Sequence, residues 1–401
     1  MGDGITVAHA MKQAMTLPLY LDYNATTPID PLVVDAMLPF LRHQFGNPSS
    51  GHCFGQLARD ALTKAREQVA ALVGVHSSQV VFTSGGTEAN NLAIKGVAAR
   101  YPGPLAISAI EHSSVQSPAA MLQQGGRDIA IIGVNAEGIA TEHTLRQALE
   151  SLNAMPAFVS VMLANNETGA LQDVPMISGV LRESSAIIHT DAVQAVGKID
   201  VDFNALGVHM LSMSAHKIYG PKGVGALVFD KRVDWEPLFH GGGQEQGLRP
   251  GTENVAGIVG FGKAAELAKS DLQQRQQHLL ALRQYLETRL QQELPEAIVF
   301  SSKVERLPNT VFLALPGIDG ETLLINLDQT GIAVSSGSAC ESASLEPSHV
   351  LMAMGVEQSI ARCAIRVSMG KDTTREDIEE LIRQLKQHAK TLHGMAAIAA
   401  I

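Results

Sequence analysis

Ser214-Ala215-His216-Lys217-Ile218-Tyr219-Gly220-Pro221-Lys222-Gly223 is the stretch on which the reading of this chain turns. Just upstream, His209-Met210-Leu211-Ser212-Met213 reads as a short buried strand, and Gly220, Pro221 and Gly223 mark a tight turn downstream. Lys217 therefore stands at a strand end, where the backbone is held. Burying an ammonium without a partner is costly, so a lysine in this place implies work for its amine. A desolvated lysine gives up its proton more readily, and a neutral amine can form a Schiff base with an aldehyde such as that of pyridoxal phosphate. The competing reading is a surface lysine in a β-turn, which is how Lys222 is read.

Working outward, residues 80–230 alternate short apolar runs with amphipathic helices. Strands are expected at 80–83, 105–110, 129–134, 157–163, 186–189, 209–213 and 224–229, with helices at 87–100 and from a Thr141 cap to about 152. Continuous apolar strands separated by helices predict an α/β fold with a mainly parallel, seven-stranded sheet covered on both faces. A different texture begins near residue 260. A long polar helix with leucines at helical spacing is expected at 271–294, followed by strands at 297–300 and 310–315. Helices at 321–329 and 374–392 complete a smaller α+β domain. The expected organisation is an extension at 1–18, a large domain at 19–265 whose first residues pack with the small domain, and a small domain at 266–401.

Composition narrows the function classes. Of 401 residues, 45% are hydrophobic and only 4% aromatic, with a net charge of −10, so no basic face for nucleic acid is expected. The apolar runs are too short to span a bilayer. Residues 1–18 lack a charged-then-apolar signal pattern. The three cysteines (Cys53, Cys340, Cys363) form no CxxC pair and no metal-ligand spacing, so neither a disulfide framework nor a metal site is expected, and a reducing cytoplasm is the natural setting.

Other strand ends carry chemistry in sequence order. Ser84-Gly85-Gly86-Thr87-Glu88-Ala89 joins a strand to a helix, an arrangement that binds anions or merely caps a helix. His112 follows the next strand, Asn165-Asn166-Glu167 another, and Asp191-Ala192-Val193-Gln194 closes a further one. Ligands of open α/β sheets sit at the carboxyl ends of strands, and a carboxylate such as Asp191 there could keep a pyridine nitrogen protonated.

With Leu21-Asp22-Tyr23-Asn24-Ala25-Thr26-Thr27-Pro28, Phe45-Gly46-Asn47-Pro48-Ser49-Ser50, His240-Gly241-Gly242-Gly243-Gln244-Glu245 and Ile365-Arg366-Val367-Ser368-Met369-Gly370, these motifs run through nearly the whole chain. Together they resemble the class V aminotransferase group of fold-type I pyridoxal phosphate enzymes, and within it the cysteine desulfurases of the NifS/IscS-like branch. The resemblance implies that Lys217 holds the cofactor aldehyde, that Asp191 pairs with the pyridine nitrogen, and that Gln194 and Asn166 contact the ring hydroxyl. His112 would stack on the ring and move protons. Gly86, Thr87, Ser214 and His216 would bind the phosphate, and Thr252 would reach the phosphate of a neighbouring subunit in a homodimer. Asn166 and Arg366 would meet the substrate, the guanidinium clamping its carboxylate.

Cys340 decides the reaction. It lies in Ser335-Ser336-Gly337-Ser338-Ala339-Cys340-Glu341-Ser342-Ala343-Ser344, a composition expected of an exposed loop. The segment resembles the long catalytic loop of the NifS/IscS-like branch rather than the shorter SufS-like one. Cys53 and Cys363 read as structural. The implied activity converts L-cysteine to L-alanine, moving sulfur onto Cys340 as a persulfide for an acceptor in iron–sulfur cluster assembly or tRNA thiolation. An aminotransferase or a selenocysteine lyase fits the same cofactor residues. Two departures from the family pattern stand out: the sequence after Leu392 differs from the docking tail of IscS-like members, and Val193 stands where relatives often carry Thr.

Overall fold

The computed structural model describes residues 18–336 and 346–399. The extension before residue 18 and Cys340 lie outside the described residues. The first strand, β1 (Leu19–Tyr20), pairs in parallel with Ile332–Ala333, far along the chain. Seven strands follow: β2 (Val80–Thr83), β3 (Leu105–Ser108), β4 (Ile129–Ile132), β5 (Phe158–Ser160), β6 (Ile187–Asp191), β7 (Met210–Ser214) and β8 (Gly225–Phe229). They form one sheet in the order β2-β8-β7-β6-β5-β3-β4. Only β8 runs antiparallel to its neighbours β2 and β7.

The two-sided burial follows from the two-residue period of a strand. Phe158, Ile187, Met210 and Leu227 enter one apolar cluster, with Leu92 and Val97 of the helix Gly86–Arg100. Their immediate neighbours Val159, Ile188, Leu211 and Val228 enter another, with Val69 and Phe261. Each such aliphatic or aromatic side chain contributes about 1.5–3 kcal/mol by leaving water, so shifting a strand by one residue would exchange the two cores and is excluded.

The later part of the chain builds β9 (Ile298–Val299), β10 (Thr310–Ala314), β11 (Ile332–Ala333), β12 (Ser335–Ser336) and β13 (Ala364–Ser368). A four-stranded antiparallel sheet forms in the order β12-β13-β10-β9. Its core joins Leu313 and Val367 to Leu279, Leu282, Leu286 and Leu290 of the helix Leu272–Glu293 and to Leu381 and Leu385. Leu21 is buried in that same core, which places the N-terminal segment against the C-terminal sheet.

Several boundaries differ from expectation. β3 ends at Ser108 rather than 110, because the chain turns there toward the His112 cap of the helix Ser113–Gln124. β4 ends at Ile132 and β5 at Ser160, while β6 runs on to Asp191. A helix at Val255–Ser270, not anticipated as such, precedes the long polar one, and the last helix extends to Ala399. No described helix is long and apolar enough to cross a membrane.

Candidate active site

Five strand ends converge on a cavity of about 290 Å³. Gly86 and Thr87 open the helix after β2, His112 caps the helix after β3, and Asn166 follows β5. Asp191 is the last residue of β6 and Ser214 the last of β7, with Lys217 closing the turn Ala215–Lys217. All of these line the cavity, as do Gln194, His216 and Arg366. Of the residues anticipated from sequence, Thr252 alone among those described does not line it; it is exposed, just before the helix Val255–Ser270. Among the described residues, no group of three or more His, Cys, Asp or Glu is placed to hold a metal ion.

One hydrogen-bond chain fixes the state of the carboxylate and the imidazole. Asn90 Nδ2 donates to Asp191 Oδ2 (2.7 Å) and to Ser114 Oγ (2.8 Å). Ser114 Oγ lies 2.7 Å from His112 Nδ1, which also accepts the Ser114 backbone N–H at 3.1 Å. His112 Nδ1 is thus an acceptor, so the neutral ring carries its proton on Nε2. Burial lowers the His112 pKa, opposed by Asp191 and assisted by the Lys217 and His349 charges. The other oxygen of Asp191 accepts the Val193 N–H at 2.9 Å.

Glu111, one residue before His112, is fully buried. Burial, then the Asp191 charge, holds its pKa well above the ordinary carboxyl value. Its Oε1 accepts the Met162 N–H at 2.6 Å.

Lys217 Nζ donates to the carbonyl oxygens of Asn24 (2.5 Å) and Ala25 (2.7 Å). Arg366 reaches the cavity from β13: one terminal nitrogen bonds Asp22 Oδ1 at 2.7 Å and the other the Asn166 carbonyl at 3.0 Å. Its buried Nε has no partner among the described residues. Burial, then the Lys217 and Lys222 charges, pushes the His216 pKa down to about 4.

These groups fit pyridoxal phosphate. Gly85 makes no side-chain cap at the start of Gly86–Arg100, so the first N–H groups of that helix await an acceptor, as a phosphate-binding helix requires. A Cβ on Gly86 would come within 2.7 Å of Val193 Cγ2, so only glycine leaves this backbone in place. Ser214 Oγ nearby is buried without a partner among the described residues. An anion at this end, Asp191 for a pyridinium and Lys217 for an aldehyde match the three functional ends of that cofactor.

Sequence reasoning missed Asp22, Asn24, Asn90, Ser114 and Glu111 as parts of the site. For Asn90 a signal existed: a polar residue between Ala89 and Leu92 on the buried face of a helix.

The family description "Aminotransferase class-V" matches residues 19–381, and the chain belongs to that family, whose members depend on pyridoxal phosphate. It is 43% identical over 385 residues to "Cysteine desulfurase IscS" of Dictyoglomus turgidum, covering 95% of this chain and 97% of that one. Among solved structures it resembles a "NifS-like protein" with a TM-score of 0.86 and 36% identity, covering 94% and 100% of the two chains. It also resembles "SspA in complex with cysteine", with a TM-score of 0.77 and 33% identity over 89% of this chain and all of that one.

Proposed function

We propose that this protein is a pyridoxal phosphate-dependent cysteine desulfurase, which converts L-cysteine to L-alanine and takes the sulfur onto Cys340 as a persulfide. The observation that carries this reading is the opposition, within one cavity, of the amine Lys217, the carboxylate Asp191 and the guanidinium of Arg366 beside an uncapped helix start. The likeness to desulfurases over almost the whole chain supports it.

When bound, pyridoxal phosphate supplies an aldehyde for covalent capture of an amine and a ring that takes up the electron pair left when the substrate Cα–H bond breaks. Lys217 Nζ holds the cofactor and then receives the Cα proton. Asp191 holds a proton at the pyridine nitrogen. Gln194 and Asn166 orient the ring hydroxyl, and Gly86, Thr87, Ser214 and His216 bind the phosphate. Arg366 orients the substrate carboxylate with its guanidinium, kept in place by Asp22. His112 moves a proton at Nε2. The Cys340 thiolate attacks the substrate sulfur, the substrate C–S bond breaks and alanine departs.

The described residues flanking 337–345 support delivery of that thiol. Ser335 lies opposite Arg366 in the β12–β13 ladder. Beyond the segment, Ser348 Oγ donates to Glu167 and His349 Nε2 lies 3.1 Å from the Glu111 carbonyl. Both ends are thus tied to elements that line the cavity. A Cys340→Ser variant should change the absorbance of bound cofactor on adding cysteine, yet release no sulfide; full sulfide release overturns the reading. Lys217→Ala should lose the absorbance of covalently held pyridoxal, and an unchanged spectrum rules out its role.

We propose also that the enzyme is a homodimer. Leu41, Phe45, Phe54 and Leu57 are exposed on neighbouring segments, with Phe45 and Phe54 stacked at 5.6 Å, a patch of the kind that subunit contacts cover. Thr252 would act from such a contact. The sulfur acceptor is a protein of cluster assembly or of tRNA thiolation. The sparse cysteines support a cytoplasmic location, which cell fractionation would overturn by finding the enzyme elsewhere.

A further inference from the structure

Lys198 is a second lysine at the site, and nothing in the reaction above employs it. It is 7% exposed, and its Nζ lies 2.7 Å from Gln194 Oε1 and 2.8 Å from Asn24 Oδ1. Among the described residues no carboxylate pairs with it. Both partners are amide oxygens, so the lysine nitrogen can only donate to them. That fixes which way each amide points. With its oxygen committed to Lys198, Gln194 must turn its Nε2 the other way, where it donates to the Asn24 carbonyl at 2.9 Å. The same carbonyl accepts Lys217 Nζ at 2.5 Å. Asn24 is held in turn by Asn309 Nδ2 (3.0 Å), Thr310 Oγ1 (2.9 Å) and Ser368 Oγ (2.9 Å).

We propose that Lys198 is a positioning residue that sets the proton affinity of the Lys217 nitrogen, acting through Gln194 and Asn24. The inference rests on the cofactor reading given above. Two effects act in one direction. With its oxygen held by Lys198 and one N–H by the Asn24 carbonyl, Gln194, which lines the cavity, has its second N–H left to stabilise an anionic ring oxygen, and this would weaken that oxygen's hold on the linkage proton. A charge on either of the two amines disfavours a second charge on the other. Burial first, then repulsion from Lys217 and Arg366, lowers the proton affinity of Lys198 itself, and repulsion between two amines is mutual.

Other described groups act on this pair as well. Lys217 also interacts with His112 and His216, both held toward the neutral form by burial. Arg366 is paired with Asp22, and the charge of Asp191 acts on His112. Removing Lys198 leaves these pairs intact while altering the surroundings of Lys217.

The test uses full-length protein reconstituted with pyridoxal phosphate, titrated by absorbance for loss of the proton on the Lys217 linkage. A parallel titration follows acetylation of Lys217 in cofactor-free protein by peptide mass spectrometry. In K198M both midpoints should rise by about one pH unit, a tenfold gain in proton affinity. K198R, which retains donor and charge, should return toward wild type. Melting curves establish that the variants fold, and K198Q takes the place of K198M should that variant not fold. Midpoints in K198M within about 0.2 pH units of wild type overturn the inference alone. A wild-type chain that takes up no pyridoxal phosphate overturns the cofactor reading and this inference with it.

Discussion

His189 lies within β6, its Nδ1 2.9 Å from Ser160 Oγ and its Nε2 3.0 Å from Ser212 Oγ, fully enclosed. Burial pushes its pKa down from 6.5 to about 3, so the folded chain keeps it neutral where the unfolded chain protonates it. Between those values the unfolded state binds more protons, so stability falls as pH drops, by at most about 1.4 kcal/mol per unit for one group. From pH 7 to pH 5 this residue alone costs about 2 kcal/mol. Urea unfolding of cofactor-free wild type and His189→Asn at both pH values checks it: the variant should lose about 2 kcal/mol less, and equal losses contradict the assignment. Glu111 shows the opposite case, a carboxyl whose pKa burial raises. Sequence reading did not single it out, because whether a carboxyl meets water is decided by residues distant in sequence, here Met162 and Asp191.

The strands of the main sheet were legible because each is short, apolar and bounded by polar turns. The helix Val255–Ser270 was not, and its glycines explain why. Gly257, Gly260 and Gly262 are poor helix formers, yet Gly260 and Gly262 are where this helix meets its neighbours. A Cβ on Gly260 would lie 2.6 Å from Met37 Sδ, and one on Gly262 would lie 2.6 Å from the Ala65 Cα of the helix Cys53–Leu72. In isolation, replacing a helical glycine with a better helix former gains up to about 1 kcal/mol. Against a neighbouring backbone that cannot swing aside, the overpacking cost of about 1–3 kcal/mol wins. Gly262→Val should therefore lower the melting temperature, measured by circular dichroism, while Lys263→Ala, which removes a half-buried side chain paired with Glu266 at the helix surface, moves it far less. A melting temperature raised by Gly262→Val would contradict this packing. The strands also end earlier or later than their apolar runs. Val161 and Leu163 still donate to the His189 and Asp191 carbonyls, so hydrophobicity alone does not mark where a ladder stops.

The site is assembled from distant parts of the chain. β1 and Leu21 join the C-terminal sheet, Asn24 and Ala25 then cross to Lys217, and β13 delivers Arg366 to the same cavity. Periodicity placed Lys217, Asp191, His112 and the Gly86 turn at strand ends. The roles of Arg366 and Thr252 came from the family resemblance, since nothing local in Ile365-Arg366-Val367 announces a binding residue. Asn24 escaped notice because its partners lie up to several hundred positions away, as Thr310 does. If the exposed Leu41, Phe45, Phe54 and Leu57 patch is a subunit contact, light scattering should give twice the mass of one chain, and Phe45→Glu should shift it toward one; a single-chain mass for the wild type contradicts the dimer. Beneath all of this stands one chemical event, the passage of sulfur from free cysteine to a particular thiol of this chain. Peptide mass spectrometry of the holoenzyme after brief exposure to L-cysteine reads it directly. The account predicts one additional sulfur on the Cys340 peptide, absent in Lys217→Ala, whereas an unmodified Cys340 with the sulfur on Cys53, on Cys363 or nowhere would contradict it.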